Sequence, residues 1–252
     1  AINDMDMLFL SLTNIERYFT VGFYGLAGSE NQQVEYQEAP NISKFIYQLK
    51  TNEPDTYEML VHSIVELLPD IEYISPVQTD LKALSDSPVA RDVPFQLPEN
   101  IYDLRVKTTY NNQEISIKNM SLGTKRIIHI LTTAIEAERA GTRLIAYEEP
   151  ENSIHPALLQ KLLILLDGLV ENVQFLLTSH SPYLISYLDI RDIYLGIPNE
   201  KGLAGFKQLK GNKEKQIFRY AREAGMSLGE FVFDILIEGF DEESYWHEFI
   251  NR

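Results

Sequence analysis

Two short apolar runs, each ending in a cluster of polar residues, constrain this chain more than any other feature. Arg143 to Tyr147 runs into Glu148-Glu149-Pro150-Glu151, and Val173 to Leu177 runs into Thr178-Ser179-His180-Ser181-Pro182. Between them, His155-Pro156 opens a helical pattern that ends near Gly168. Strand, helix, strand with polar residues at both strand C-termini predicts a parallel α/β arrangement. Ligands bind at that edge of such sheets.

The rest of the chain divides around this unit. Residues 1–100 read as mostly helical, with few strand signals: a helical insert and a connector. Asn52-Glu53-Pro54 starts a helix with proline near its first turn, Pro69 closes it, and Tyr57, Leu60, Val61, Ile64, Leu67 and Leu68 repeat at helical spacing between them. Ser75 to Asn100 carries prolines at 76, 88, 94 and 98 and little periodicity, as a connector would. Residues 101–200 form the predicted core. Leu104–Tyr110 and Glu114–Ile117 flank an Asn111-Asn112 turn as a hairpin, and Ser121 opens a helix that Gly141 stops. Residues 201–252 form a helical appendage that changes sign. Lys201 to Arg222 holds basic residues at 201, 207, 210, 213, 215, 219 and 222 against the single acidic Glu214, and Leu228 to Arg252 is acidic and aromatic.

Composition removes several function classes. With 44% hydrophobic and 23% charged residues, a 252-residue chain can bury a core without disulfides or metals. It has no cysteine, which excludes disulfide scaffolds, thiolate zinc sites, iron–sulfur clusters and cysteine nucleophiles, and which fits the cytoplasmic location expected for it. Lysine and arginine number 22 against 37 acidic residues, a net charge of −15, so any contact with nucleic acid needs a local patch. No apolar stretch reaches the roughly 18 residues that cross a bilayer. Ala1 to Asp6 has no basic residue and does not read as a secretory signal; without an initiator methionine, the sequence reads as a fragment.

Three groups of residues carry chemistry. Glu148 and Glu149 end a strand, where carboxylates are costly unless a cation is near. One can help hold Mg²⁺ while its neighbour, on the opposite strand face, orients a water; the plainer alternative is an acidic loop. His180 ends the next strand, flanked by Thr178, Ser179 and Ser181, as a polar sensor would be, although a lone histidine is more often structural. Ser121 and Gly123 precede a helix, where free N–H groups and the helix dipole make an anion site; the alternative is an ordinary N-cap. Ser227-Leu228-Gly229 repeats the tripeptide, but Glu230 completes a capping box there, so this copy reads as a cap.

Taken in order, these segments resemble the ABC-type ATPases, specifically the soluble RecF/SMC-like group that includes bacterial antiphage-defence ATPases. Ser121-Leu122-Gly123 resembles the signature motif, Leu144 to Glu151 the Walker B strand, Asn152 to Pro156 the D-loop, and Thr178 to Pro182 the switch-histidine segment. The helical stretch from Ser43 to Ile74 looks like the insert of this group. The resemblance implies ATP and Mg²⁺ as cofactors. It casts Glu149 as general base or water-positioning residue, Glu148 as metal partner and His180 as γ-phosphate sensor, with Ser121 and Gly123 closing on ATP held by an opposing copy. It further implies an ATP-sandwich dimer and an effector nuclease as partner.

Two departures stand out. Glu148 replaces the usual Walker B aspartate, as in relatives of the OLD nucleases. No G-x-x-x-x-G-K-[ST] and no Gly-Lys dipeptide occur anywhere. The phosphate-binding lobe is therefore expected before Ala1 or on another chain, and this chain alone is expected to be inactive. The competing readings are a non-hydrolysing scaffold, a RecF-like DNA-repair ATPase, and the nuclease end of an OLD-like protein, since Ile235 to Asp241 resembles the opening strand of a Toprim domain. Ser227 to Glu230 argues instead for a helix through that segment. Lys201 to Arg222 could contact DNA, dock an acidic partner, or form a solvated helix face.

Overall fold

The structure, a computed structural model, describes residues 7–11, 41–81, 99–198, 204–208 and 212–238. It divides into two compact units, one of residues 1–154 with 161–177 and one of residues 155–160 with 178–252.

The first unit carries the parallel sheet. β1 (Met7–Ser11) pairs in parallel with β5 (Leu144–Glu148), from Met7 opposite Leu144 to Ser11 opposite Glu148. β6 (Gln174–Thr178) takes the other side of β5, giving the order β1-β5-β6. The Gln174 amide donates to the Arg143 carbonyl at 2.8 Å, so β5 and β6 begin at the same edge and run the same way. Between them in sequence lies α4 (Pro156–Leu169), as the strand–helix–strand reading requires. The α/β class with a parallel sheet is what the sequence predicts.

The stretch before residue 100 departs from its mostly helical reading. α1 (Ile42–Asn52) and α2 (Pro54–Leu67) are helices, the first capped by Asn41, whose side chain accepts from the Lys44 amide at 3.1 Å, the second opened by Pro54. The chain also supplies β1 and then β2 (Ile71–Asp80), in part of what reads as a connector. Pro76 hides β2 from a sequence reading because it cannot donate to a ladder. The structure accommodates it at an edge: the sheet order is β2-β3-β4, with β3 (Asn100–Thr108) in the centre and β4 (Ile115–Ser116) beyond it. The predicted hairpin is present, Arg105 facing Ser116 and Val106 facing Ile115 in antiparallel register.

α3 (Leu122–Ala140) is the central helix of this unit. Its buried residues run almost without a break from Lys125 to Ile135, which is how a helix covered on several sides reads. α1 and α2 lie against it, and their own buried residues include Ile42, Ile46, Leu49, Leu60 and Ile64, each at 1% exposure or less. Burying each such side chain contributes about 1.5–3 kcal/mol. Its other side meets β5, where Tyr147 is fully buried. The Tyr147 hydroxyl donates to the Ile130 carbonyl at 3.1 Å and shares a 2.6 Å hydrogen bond with Thr133 Oγ1. Burial raises the Tyr147 pKa, so this anchor stays neutral and intact at physiological pH. Gly141 ends α3 in the left-handed conformation (φ 72°), and the Thr142 amide reaches back to the Ala137 carbonyl at 2.9 Å.

The second unit has its own core. α5 (Pro182–Tyr187), the antiparallel pair β7 (Tyr194–Pro198) and β8 (Ala204–Gln208), α6 (Asn212–Ala224) and α7 (Leu228–Glu238) enclose Ile185, Ile190, Ile193, Leu195, Ile217, Ala221, Phe231 and Val232. α7 runs as a helix through Ile235, so the strand that a Toprim opening needs is not formed there. Residues 239–241 lie outside the described residues.

Candidate functional site

Tyr147 fixes the end of β5, and the chain turns sharply just after it. Glu148 is the last residue of the strand and is exposed; Glu149 is half-buried and takes φ 45°. Ser153 takes φ 65° in the same segment. Left-handed backbone at two residues with side chains costs on the order of 1–3 kcal/mol each and persists only where the surroundings enforce it. The surroundings are visible. The Asn152 amide donates to the Glu149 carbonyl at 3.2 Å and the Ile154 amide to the Glu151 carbonyl at 3.0 Å, coiling residues 149–154 into successive turns. The Asn152 side-chain amide donates to Glu149 Oε2 and holds the carboxylate itself.

The first turn of α3 lies against this loop. Ser121 is its N-cap: the hydroxyl accepts from the Thr124 amide at 3.1 Å and meets Thr124 Oγ1 at 2.9 Å. Gly123 is needed for closeness. A Cβ there would sit 2.3 Å from the Ser153 carbonyl oxygen, a backbone atom that cannot swing aside. One turn on, the guanidinium of Arg126 donates through Nη1 to the Glu149 carbonyl at 2.9 Å, and Arg126 is only 7% exposed. Burial lowers its pKa, and the Glu151 and Glu149 carboxylates oppose that shift. His129, fully buried on the same helix, has its pKa pushed down to about 3, first by burial and then by the Arg126 charge.

Four of the five site residues singled out from sequence therefore fall in one unit, and two are brought into register by direct contacts: Gly123 against Ser153, and Glu149 tied to the helix that Ser121 caps. His180 follows the end of β6 by two residues, is exposed, and belongs to the second unit. The second Ser-Leu-Gly copy is the capping box expected: the Glu230 amide donates to Ser227 Oγ at 3.2 Å and the Ser227 amide to Glu230 Oε2 at 2.9 Å. Gly229 adds a role that capping alone does not reveal, since a Cβ there would sit 1.8 Å from the Pro182 carbonyl oxygen. Sequence reasoning missed Arg126, His129 and Asn152. A basic residue in the first turns of a helix, where the dipole disfavours it, was the available signal for Arg126.

Among the described residues no group of three or more His, Asp or Glu could hold a metal ion. Mg²⁺ beside a nucleotide takes one or two carboxylates and draws its other ligands from water and phosphate. Glu148, exposed at the end of β5, is a carboxylate of that kind. In the basic stretch, Lys215, Arg219 and Arg222 are exposed on α6 while Ile217 and Ala221 face inward; the side chains of Lys201, Lys207, Lys210 and Lys213 lie outside the described residues. Among the described residues no helix is long and apolar enough to cross a membrane.

A parallel α/β sheet with paired carboxylates at one strand end, beside the serine-capped start of a helix, is the kind of arrangement that nucleotide-binding domains use. The chain belongs to the AAA ATPase domain family, whose profile matches residues 26–185 and so takes in Ser121, Gly123, Glu148, Glu149 and His180. Several solved structures are similar at low identity. One, of SMC ATPases described for ATP-driven dimerisation and DNA-stimulated activation, shares 13% identity over 71% of this chain and 97% of its own, with a TM-score of 0.46. An Smc head bound to the C-winged helix domain of ScpA shares 12% identity over 82% of this chain and 57% of its own, with a TM-score of 0.49. An Smc head with an extended coiled coil from Pyrococcus furiosus, bound to the C-terminal domain of ScpA, shares 13% over 70% and 40%, with a TM-score of 0.47.

Proposed function

We propose that this chain supplies the hydrolytic half of an ATP-driven, dimerising ATPase. Glu149 orients the attacking water and accepts its proton, Glu148 helps hold Mg²⁺, and His180 senses the γ-phosphate. Ser121 and Gly123 meet ATP carried by an opposing copy. When bound, Mg²⁺ supplies charge neutralisation on the β- and γ-phosphates. The observation that carries this reading is the left-handed Glu149, held by Arg126 and Asn152 against the same helix that Ser121 caps. A strained acidic residue fixed by three hydrogen bonds, two to its carbonyl and one to its carboxylate, is an oriented group, whereas a solvated acidic loop has no need of that cost.

The chain contains no G-x-x-x-x-G-K-[ST] loop, so by itself it is proposed to turn over ATP negligibly. In the full-length protein Glu149→Gln should keep ATP binding and lower turnover by about 10²-fold or more, the scale of a lost general base. Turnover within a few-fold of wild type would remove Glu149 from the chemistry.

The wider setting rests on the motif order alone: a cytoplasmic antiphage-defence ATPase controlling an effector nuclease. Docking of that partner, rather than DNA, is assigned to the exposed basic face of α6, because the net charge of −15 opposes a polyanion. Replacing Lys215, Arg219 and Arg222 with glutamate should abolish co-purification of the nuclease and leave DNA binding unchanged; the opposite pattern would reassign the face to DNA.

A further inference from the structure

The geometry points to Arg126 as a positioning residue that sets the conformation of Glu149 from the helix Ser121 caps. This deepens the hydrolytic reading above and rests on it. Arg126 occupies an expensive place. It is 7% exposed, so its charge has been taken out of water, and it lies in the first turns of α3, where the helix dipole disfavours a cation. Its charge is offset by the nearby Glu151 and Glu149 carboxylates. Its Nη1 is spent on a backbone atom, the Glu149 carbonyl, at 2.9 Å.

That acceptor is the informative choice. The same carbonyl also takes the Asn152 amide at 3.2 Å, so two donors fix the peptide plane that follows Glu149. Fixing that plane restricts rotation about the Cα–C bond of Glu149, whose φ is 45°, and the Asn152 side chain holds the carboxylate. The reach of Gly123 to Ser153 makes a second, steric link between the same two segments. Arg126 needs no contact with nucleotide for this role. It acts through Glu149, and a misplacement of about 1 Å at a reacting group costs about 10²-fold in rate.

The test uses the full-length protein and Arg126→Lys, which keeps the charge but loses the fixed guanidinium fork. Three results are expected. The kcat for ATP falls about 10²-fold with KM changed less than about twofold, since positioning and not uniform binding is lost. ATP-driven association, read by sedimentation, is retained. Without nucleotide, amide hydrogen exchange at Asn152 and Ile154 accelerates, because the loop has lost its outer support. Asn152→Ala, at an exposed position, should lower kcat in the same direction if Arg126→Lys does not fold. Unchanged kcat and exchange in Arg126→Lys overturn the inference, as does a fall in kcat with exchange at Asn152 and Ile154 unaltered. Glu149→Gln run alongside separates the two claims: if that variant still turns over ATP, the hydrolytic reading fails, and the exchange data alone still report whether Arg126 holds the loop.

Discussion

His129 shows how one buried side chain imposes a pH dependence on the fold. Its pKa is pushed down to about 3, first by burial and then by Arg126, so the folded protein holds it neutral while the unfolded chain protonates it near 6.5. The unfolded state therefore binds more protons below that value. Stability from His129 is fully present above about pH 6.5 and is lost progressively as pH falls towards 3, by up to a few kcal/mol. Glu136, whose pKa is raised by burial, opposes this at low pH by binding its proton more readily when folded. The comparison must therefore be a difference between variants. Urea midpoints measured from pH 7 to pH 4 should fall less steeply for His129→Leu than for wild type. Parallel slopes would show that His129 does not carry the effect. Arg126 and Asn152 belong to the same scale: Arg126 donates once to the Glu149 carbonyl, and Asn152 donates to that carbonyl through its amide and to the carboxylate through its side chain.

At the scale of elements, the two Ser-Leu-Gly copies separate what a sequence can express from what it cannot. Both begin helices, and both serines cap them, at 3.1 Å to the Thr124 amide and 3.2 Å to the Glu230 amide. Capping is a local rule, and it was legible, as were Gly141 at the end of α3, the β5–α4–β6 order and the β3–β4 hairpin. What each glycine meets was not legible, because Ser153 and Pro182 come from other parts of the chain. Gly123→Ala forces the start of α3 away from the loop that holds Glu149, and Gly229→Ala forces α7 away from α5. Each should destabilise by about 1–3 kcal/mol, the usual scale of overpacking. Only Gly123→Ala should also lower ATP turnover per folded molecule; equal loss in both would mean that the Gly123 approach has no bearing on the site. β2 was hidden for a related reason. Its Pro76 reads as a breaker, and only the neighbours reveal an edge strand where a missing N–H is tolerated. β1 pairs with β5 across more than a hundred residues of intervening chain, which no periodicity records.

At the scale of the whole molecule, the proposed function needs two copies to meet over nucleotide despite like charge. Each chain brings −15, and bound ATP adds more. Beyond a Debye length of about 8 Å at physiological salt, that repulsion is screened, so association depends on short-range contacts at the nucleotide. In the proposed function Ser121, at the start of α3, supplies one of them, and Glu149 ends the associated state by hydrolysis. Sedimentation velocity of the full-length protein with Mg²⁺ and ATP tests this most directly, with Glu149→Gln and Ser121→Arg run side by side. A persistent dimer is expected for Glu149→Gln, which should bind without hydrolysing, and a monomer for Ser121→Arg, whose added bulk and charge should block closure on the opposing nucleotide. Equal association of the two variants would contradict the proposed function.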